Sequence, residues 1–284
     1  MTVRVLGPGD EARLDAFLAQ HADSSMLLRA NLRKSGIEDH GKPYQATYAA
    51  ALDGDRVVGV AAHTWMGGIL LQAPEQLDAV VRHAVERSGR RVAGLIGPWA
   101  QVVAARAALD LTEQGTRMAS REILYAVPLP DVVVPSALTS GAVACRRVTD
   151  DELPLVVEWR MAYNVEANRV PADAAGRARA LAEAERWHAE RVHFMLTRDG
   201  ERVAYSAFNA HLPDTVQVGG VWTPPALRSR GYGRCVVAGS LLIARTEGAH
   251  RAILFTAEDN VPAQRAYEAL GFRRVGDYGL VFFS

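Results

Sequence analysis

The residues with the clearest chemical potential lie in the segment 223–233, where a predicted strand runs through Thr-Pro-Pro-Ala-Leu-Arg-Ser-Arg-Gly-Tyr-Gly into a predicted helix. Glycines at such a turn let backbone N–H groups approach an anion closely, and the helix N-terminus adds a partial positive charge. Arg228 and Arg230 can bind phosphate oxygens in a bidentate manner. The segment therefore predicts a site for a phosphate-bearing ligand, and the alternative is a solvated basic turn ahead of a helix.

Spacing separates the kinds of phosphate loop that could account for this segment. A Walker loop needs Gly-Lys-Ser or Gly-Lys-Thr, and the sequence contains neither. A dinucleotide fingerprint needs a third glycine where Val236 stands, followed about 20 positions later by an acidic residue that ends a strand, and neither feature is convincing in this sequence. The pattern that remains is Arg-x-x-Gly-x-Gly, formed by Arg228, Gly231 and Gly233.

A second motif follows after one more predicted helix and strand. It reads Asn260-x-x-Ala263-x-x-x-Tyr267-x-x-x-Gly271-Phe272. Together the two motifs resemble the signatures of the GNAT (Gcn5-related) N-acetyltransferases, in which the Arg-x-x-Gly-x-Gly loop binds the pyrophosphate of coenzyme A. The resemblance in element order covers residues 144–284, and it implies that acetyl-CoA is a co-substrate.

The resemblance implies roles for particular residues. Tyr267 is expected to donate a proton to the leaving coenzyme A thiolate, and Glu166 is a candidate general base. The residues expected to contact acetyl-CoA are Val221, Trp222, Thr223, Arg228, Ser229, Arg230, Gly231, Tyr232, Gly233, Arg234, Asn260, Ala263 and Tyr267. Purely structural interpretations stay open for several of them: Asn260 can cap the following helix, Gly271 can end it, and Tyr267 and Trp222 can pack in the core.

The reaction implied by the family is direct attack of a neutral amine on the bound thioester, without a covalent enzyme intermediate. The favoured function is transfer of an acetyl group to the primary amine of a small molecule such as an amino acid, polyamine or antibiotic. Two alternatives stay open: a non-catalytic acyl-CoA-binding or sensor protein, and an acetyltransferase that modifies protein lysines or N-termini. Further candidates for the base or the acceptor pocket are Glu158, Trp159, Tyr163, Tyr205, Asn209 and Tyr278.

Two similar halves of the chain must position these motifs. Each half predicts a strand, helical sequence, a hairpin with an Asp-Gly turn, a third strand that stops near a proline, and then a helix, a strand, a helix and a final strand. In the first half the helical sequence is one segment, Asp10 to about Lys34. The order predicts an α+β fold of two GNAT-like domains, each a mixed central sheet flanked by helices. We expect a degenerate domain at residues 1–128, a linker at 129–142 and a catalytic domain at 143–284.

Pairing residues between the halves locates a difference in length. Gly67-Gly68 pairs with Gly219-Gly220 at an offset of 152, whereas residues 104–108 pair with residues 263–267 at an offset of 159. The second half therefore contains seven more residues between these two points. They coincide with the Arg-x-x-Gly-x-Gly loop, residues 228–233.

The first half lacks the residues on which the resemblance rests. It has Gln101 at the position of Asn260 and Ala108 at the position of Tyr267, and it has no Arg-x-x-Gly-x-Gly loop. We therefore expect that it does not bind acetyl-CoA productively and instead supports the active half or helps to wall the acceptor pocket.

Composition excludes several function classes. The 284 residues fit two domains of ordinary size, and Lys+Arg and Asp+Glu both number 32, so the net charge of zero argues against nucleic acid as the main partner. Arginine supplies 30 of the 32 basic residues, which is typical of a GC-rich bacterial source. The two cysteines suit a reducing cytosol, and no apolar signal or membrane-spanning stretch is evident. We expect a cytoplasmic monomer or homodimer with no membrane partner and, because the eight histidines are scattered, no metal.

Overall fold

A computed structural model of the chain describes residues 1–168 and 170–284. Contacts divide it into two units. The first comprises Met1–Leu124, Phe255–Asp259 and Arg274–Ser284, and the second comprises Tyr125–Leu254 and Asn260–Arg273. Each unit contains a mixed sheet flanked by helices, which confirms the predicted α+β class. Among the described residues, none of the helices has both the length and the apolar character that a bilayer span requires.

The first unit is built from an antiparallel meander followed by a parallel crossover. Its strands are β1 (Thr2–Val5), β2 (Ala46–Asp53), β3 (Arg56–Thr64), β4 (Gly68–Gln72) and β5 (Gly94–Pro98). Its helices are α1 (Glu11–Gln20), α2 (Met26–Ser35), α3 (Leu77–Ser88) and α4 (Trp99–Ala108). The pairs β1/β2, β2/β3 and β3/β4 are antiparallel, and β4/β5 is parallel. Strand β6 (Thr116–Pro128) begins in this unit and ends in the other.

The second unit repeats this order. After a short helix, α5 (Ser136–Thr139), come β7 (Ala144–Arg147), α6 (Leu153–Asn168), α7 (Ala174–Ala189), β8 (His193–Arg198), β9 (Glu201–His211), β10 (Thr215–Trp222), α8 (Tyr232–Thr246), β11 (Arg251–Ala257) and α9 (Val261–Glu268). The next strand in the chain, β12 (Arg273–Phe283), lies in the first unit. The pairs β7/β8, β8/β9 and β9/β10 are antiparallel, and β10/β11 is parallel. The repeated order that the sequence predicts is therefore present in both units.

Both faces of the first unit's sheet are buried. On β2, Ala49 and Ala51 face one apolar cluster, whereas Tyr48 and Ala50 face another. Successive side chains of a strand point to opposite faces, so a strand that is covered on both sides reads as a continuous apolar run. This explains why β2 and β3 are so rich in alanine and valine.

The last strand of the chain belongs to the first unit. β12 pairs antiparallel with β5 from Tyr278↔Pro98 to Phe282↔Gly94. The sequence assigns this strand to the predicted domain 143–284, because it follows the second repeat. In the structure its contacts are with the first unit. The segment expected to be a linker also contacts the second unit, since the Leu129 and Val133 N–H groups donate to the carbonyl oxygens of His250 and Leu270.

The helical sequence expected from Asp10 to about Lys34 forms two helices in the structure, α1 and α2. The helix α1 ends before His21, and the chain turns so that the Ser24 and Ser25 N–H groups both donate to the His21 carbonyl oxygen. The two serine hydroxyls donate to Oε1 of Gln72 on β4, at 2.7 and 3.3 Å. Short polar side chains compete with the helical backbone in this way, and here a tertiary partner stabilises the break.

A buried carboxylate stabilises the start of α6. Glu152 is 2% exposed and accepts hydrogen bonds from Arg146 at 2.7 and 2.8 Å, from Arg202 at 2.9 Å and from the Thr149 N–H at 3.1 Å. Burial by itself would raise the pKa of Glu152, but these donors lower it from an ordinary 4.5 to about 2. The depressed pKa means that the folded state favours the charged carboxylate.

We predict that Glu152→Gln lowers the free energy of unfolding at neutral pH by about 3 kcal/mol, the equivalent of the pKa shift. A group with a depressed pKa contributes stability above its unfolded pKa and loses that contribution as the pH falls. The difference between the two proteins should therefore shrink as the pH falls from 4.5 towards 2. Urea titrations at pH 7, 5 and 3 measure this, and a difference that stays constant with pH would contradict it.

Candidate functional site

The centre of the candidate site is the end of β10. The parallel ladder between β10 and β11 ends at Gln217↔Ile253, and β10 continues through Val218–Trp222. On its other side β10 pairs with β9, but the register shifts between Gly219 and Trp222, which marks a bulge. Gly220 has φ +58°, a left-handed conformation that favours glycine. The strand therefore offers backbone groups beyond its last pair with β11, where an extended ligand can bind by main-chain hydrogen bonds.

The connection from β10 to α8 ends in an open helix N-terminus. Pro225–Leu227 form a short 3₁₀ turn, Ser229 has φ +62°, and Gly231 is the N-cap of α8 with φ +80°. No side chain in the described part of the chain caps this helix. The Cys235 N–H donates to the Gly231 carbonyl oxygen at 3.1 Å, so the N–H groups of the first turn precede the first helical bond. This is the arrangement in which a helix N-terminus binds an anion.

Close packing brings the end of β10 next to the start of α8. A Cβ atom at Gly233 would lie 3.8 Å from Oγ1 of Thr223 and 4.0 Å from Cγ1 of Val221. Tyr232, in contrast, packs into the protein: it is 6% exposed, and Nη1 of Arg198 donates to its hydroxyl at 2.9 Å. Ser229, Arg230 and Arg234 are exposed, as predicted contacts of a bound ligand must be.

The candidate phosphate-binding arginine contacts the candidate base. Arg228 Nη2 lies 2.9 Å from Glu166 Oε2, where α6 ends. The same guanidinium donates through Nε to the Thr223 carbonyl oxygen at 3.1 Å and lies 5.0 Å from the ring centroid of Trp222. Four residues that the sequence predicts for different roles thus meet at one end of β10. Both members of the ion pair are solvent-exposed, so the pair contributes little to stability.

The second motif forms α9 and its ends. The Asn260 side chain accepts a hydrogen bond from the Ala263 N–H at 3.3 Å and so caps the helix, while Gly271 follows it with φ +93°. Tyr267 is part-buried and its ring packs edge-on against Phe272 at 6.0 Å. Burial raises the pKa of the Tyr267 phenol above its ordinary value, and the nearby Tyr163 adds to this. Tyr267 therefore keeps its proton at neutral pH.

The helix α6 covers the bulge with a charged and aromatic cluster. The sequence predicts site roles for its members Tyr163 and Trp222 but not for Arg160. Tyr163 packs edge-on against Trp222 at 6.5 Å, and the Arg160 guanidinium lies 4.6 Å from Tyr163 and 4.5 Å from Trp187. Arg160 is 4% exposed and forms an ion pair with Glu183 of α7 at 2.8 Å. The only local signal was the spacing of residues 160, 163 and 164 on one helical face, which is equally typical of packing.

The remaining acceptor-pocket candidates lie in different environments. Tyr205 is fully buried, with its hydroxyl 3.3 Å from Nδ1 of His193. Asn209 covers Gly219, where a Cβ atom would lie 2.1 Å from its side-chain nitrogen. Glu158 is exposed. Tyr278 belongs to the first unit, where it stacks on Phe255 at 5.1 Å.

The corresponding strand end in the first unit is closed by the chain itself. β4 ends at Gln72, and the next N–H, that of Ala73, donates to Oε1 of Gln101 at 2.7 Å. A Cβ atom at Gly97 of β5 would lie 2.8 Å from Cβ of Leu71, so β4 and β5 remain in close contact to their ends. The start of α3 nevertheless keeps a left-handed N-cap, Gln76, with φ +56°.

The two units differ in length in more places than the sequence pairing implies. The connection between β4 and α3 is residues 73–76, whereas that between β10 and α8 is residues 223–231. The loop therefore accounts for five extra residues, and β10 and α8 are also longer than β4 and α3. The glycine pairing does not hold, because Gly67 precedes β4 while Gly219 lies inside β10. That pairing rests on residue type alone. Two positions are equivalent only if they occupy the same place in the strand ladders of the two units.

Comparison with known proteins agrees with this geometry. Residues 155–272 match the acetyltransferase (GNAT) family. The matched segment, residues 155–272, is a GNAT domain. It is similar to a mycothiol acetyltransferase from Thermomonospora curvata, with 30% identity over 179 residues that cover 63% of this chain and 58% of the relative. It is also similar to a mycothiol acetyltransferase from Corynebacterium glutamicum (strain R), with 28% identity over 145 residues, 50% of this chain and 47% of the relative. The chain spans about half the length of these curated relatives.

Solved structures share the fold along the whole chain. A tandem GNAT protein from the clavulanic acid biosynthesis pathway aligns with a TM-score of 0.58 and 16% identity, over 100% of this chain and 98% of its own. A GNAT protein from Sphaerobacter thermophilus aligns with a TM-score of 0.59 and 14% identity, over 99% and 94%. The chain thus has the tandem GNAT fold. Within residues 1–168 and 170–284 there is no group of three or more His, Cys, Asp or Glu side chains that could hold a metal ion.

We predict that Asn260→Ala lowers the free energy of unfolding by about 1 kcal/mol, because α9 loses its N-cap. Asn260→Asp keeps an oxygen at the same position and should stay within a few tenths of a kcal/mol of the parent. Urea unfolding of the three proteins measures the difference. Equal stability of Asn260→Ala and the parent would show that the cap contributes nothing.

Proposed function

We propose that the second unit transfers the acetyl group of acetyl-CoA to the primary amine of a small molecule, by direct attack in a ternary complex. The observation that carries the proposal is that β10 runs on past its last pair with β11, at Gln217↔Ile253, and leads through the left-handed Gly231 to the uncapped start of α8. The match of residues 155–272 to the GNAT family and the names of the relatives support acetyl transfer.

The end of β10 and the start of α8 suit the two ends of acetyl-CoA. The edge of β10 and the Thr223 backbone would bind the extended acyl-pantetheine arm by main-chain hydrogen bonds. The turn at Gly231 and the first N–H groups of α8 would bind the pyrophosphate, and Arg230 and Arg234 would add positive charge. Backbone N–H groups of the strand would stabilise the negative charge that develops on the thioester oxygen.

Arg228 links co-substrate binding to the candidate base. Its guanidinium is now paired with Glu166, and a pyrophosphate group would compete with that carboxylate for the same donors. Binding would therefore release Glu166, which could then accept the proton of the attacking amine. At the other side of the reaction Tyr267, protonated at neutral pH, would donate its proton to the departing thiolate.

The acceptor is proposed as a small-molecule amine. The relatives are named mycothiol acetyltransferases, which directs the first assays to thiol-containing amines of that kind, followed by amino acids, polyamines and aminated antibiotics. Lysine peptides belong in the same panel. Faster turnover of peptides than of free amines would favour protein acetylation, and binding without any turnover would favour a sensor.

For the first unit we propose that it has no productive acetyl-CoA site. The Gln101 side chain already occupies the N–H of Ala73, which follows β4 as Thr223 follows β10. The short connection 73–76 also leaves no room for the arginine-containing loop. The unit would serve the active one structurally.

We predict that isothermal titration gives one acetyl-CoA site per chain and that Gly231→Ala weakens binding at least tenfold, because a side chain strains the left-handed turn that presents the N–H groups. Gly141→Ala is the matched control: Gly141 has φ +75° in open space in the same unit. Each variant should lose about 1–2 kcal/mol of stability, yet only the loop variant should lose affinity. Two sites per chain, or equal loss of affinity in both variants, would contradict the proposal.

We predict that Tyr267→Phe lowers kcat by about 100-fold or more, with little change in the KM for acetyl-CoA, since the phenol acts on the leaving thiolate. The measurement is the release of coenzyme A with the best acceptor of the panel, with its thiol separated by chromatography from that of any thiol-containing acceptor. Tyr125→Phe, which removes a hydroxyl that donates to Glu268 in the same unit, is the control and should keep the parent kcat within about twofold. Unchanged thiol release in Tyr267→Phe would exclude this residue as the general acid.

A further inference from the structure

We infer that Arg160 is a positioning residue for acetyl transfer: its guanidinium supports the bulge of β10 and places a fixed positive charge behind the strand segment 221–223. The inference rests on the proposed function, because this segment is the one that would bind the thioester. It assigns a role to the charge of Arg160, which lies beneath β10 and is not among the residues predicted to contact acetyl-CoA.

The burial of Arg160 requires an explanation. The residue is 4% exposed, and its Nη2 donates to Glu183 at 2.8 Å and to Asn164 at 3.3 Å. Its Nε and Nη1 atoms are buried without a hydrogen-bond partner among the described residues. Unpaired buried donors cost stability, and an apolar side chain of the same size would avoid that cost. Stability therefore does not account for an arginine at this position.

The guanidinium is held in one orientation. Tyr163 and Trp187 lie on it at 4.6 and 4.5 Å from their ring centroids, and the hydrogen bonds to Glu183 and Asn164 fix the Nη2 end. Aromatic rings stabilise a desolvated cation through their quadrupoles. The opposite edge of the guanidinium, which carries Nη1, is therefore held in one direction.

The Nη1 edge of Arg160 faces the bulge of β10. Nη1 is 2.6 Å from the position that a Cβ atom of Gly220 would take, so the arginine fills the space of that missing side chain. Gly220 also has φ +58° and lies inside the register shift between Gly219 and Trp222. The contact thus supports β10 at the bulge in its ladder with β9. The next residues are those proposed to bind the acyl arm.

The partner of Arg160 is a carboxylate at neutral pH. Burial alone would raise the pKa of Glu183, but Arg160, Asn164 and Arg179 lower it below its ordinary value. Glu183 contacts the Nη2 end, which leaves the positive end of the pair nearest to Gly220. A preorganised positive charge in a buried site stabilises a developing oxyanion, and because that charge appears only in the transition state the effect falls on kcat.

The test compares Arg160→Met/Glu183→Gln, which removes both charges of the pair and so leaves no uncompensated carboxylate, with the parent and with Arg179→Met. Arg179 contacts the same carboxylate at 3.3 Å from an exposed position and is the matched control. We expect the double variant to fold with a melting temperature close to that of the parent and to bind acetyl-CoA within about threefold, while its kcat falls at least tenfold. Arg179→Met should keep the parent kcat.

Amide hydrogen exchange provides a readout that does not need turnover. The peptide containing residues 219–223 should exchange faster in the double variant, whereas peptides from β8 should be unchanged. Parent-like exchange of this peptide, or a parent-like kcat in the double variant, would overturn the inference. If the parent itself releases no thiol with any acceptor, the proposed function fails, and faster exchange in the double variant would still establish that Arg160 positions the bulge.

Discussion

The site depends on the point at which β10 leaves its neighbour. A buried strand normally pairs its backbone groups on both sides, because unpaired groups away from water are costly. In the second unit the parallel ladder with β11 ends at Gln217↔Ile253 while β10 runs on to Trp222. This end of the strand leads within one connection to the uncapped start of α8. Main-chain groups at the strand end and the helix end are thereby presented on one continuous segment, and the side chains of the site are arranged around it.

The two units show how one fold is opened or closed at this point. In the first unit Gln101 supplies the hydrogen bond that the N–H of Ala73 needs, and Gly97 lets β5 stay against Leu71. In the second unit β10 has a bulge at Gly220 and a longer connection to α8. The difference lies in a few side chains and in loop length, since the strand order and the left-handed helix N-cap recur in both units.

Two arginines act at this strand end from different environments. Arg228 is exposed and holds Glu166 in a pair that water screens, so it can exchange partners when an anion arrives. Arg160 is buried between aromatic rings and paired with Glu183, so its charge is fixed in place. A mobile charge suits the recognition of a ligand that enters and leaves. A fixed charge suits the stabilisation of a transition state, because it needs no reorganisation during the reaction.

The sequence by itself determined the features that depend on neighbouring residues. Gly231 and Asn260 indicate a turn and a helix cap through local backbone chemistry, and the order of strands and helices follows from hydrophobic periodicity, so the α+β repeat could be predicted. The family followed from the resemblance of the two motifs to the GNAT signatures. Only the tertiary structure decided that β12 pairs with β5, that Gln101 closes the first unit, and that Arg160 lies against Gly220. These contacts join residues far apart in the chain, and their geometry depends on strand register and on the packing of α6 and α7, which no local pattern encodes.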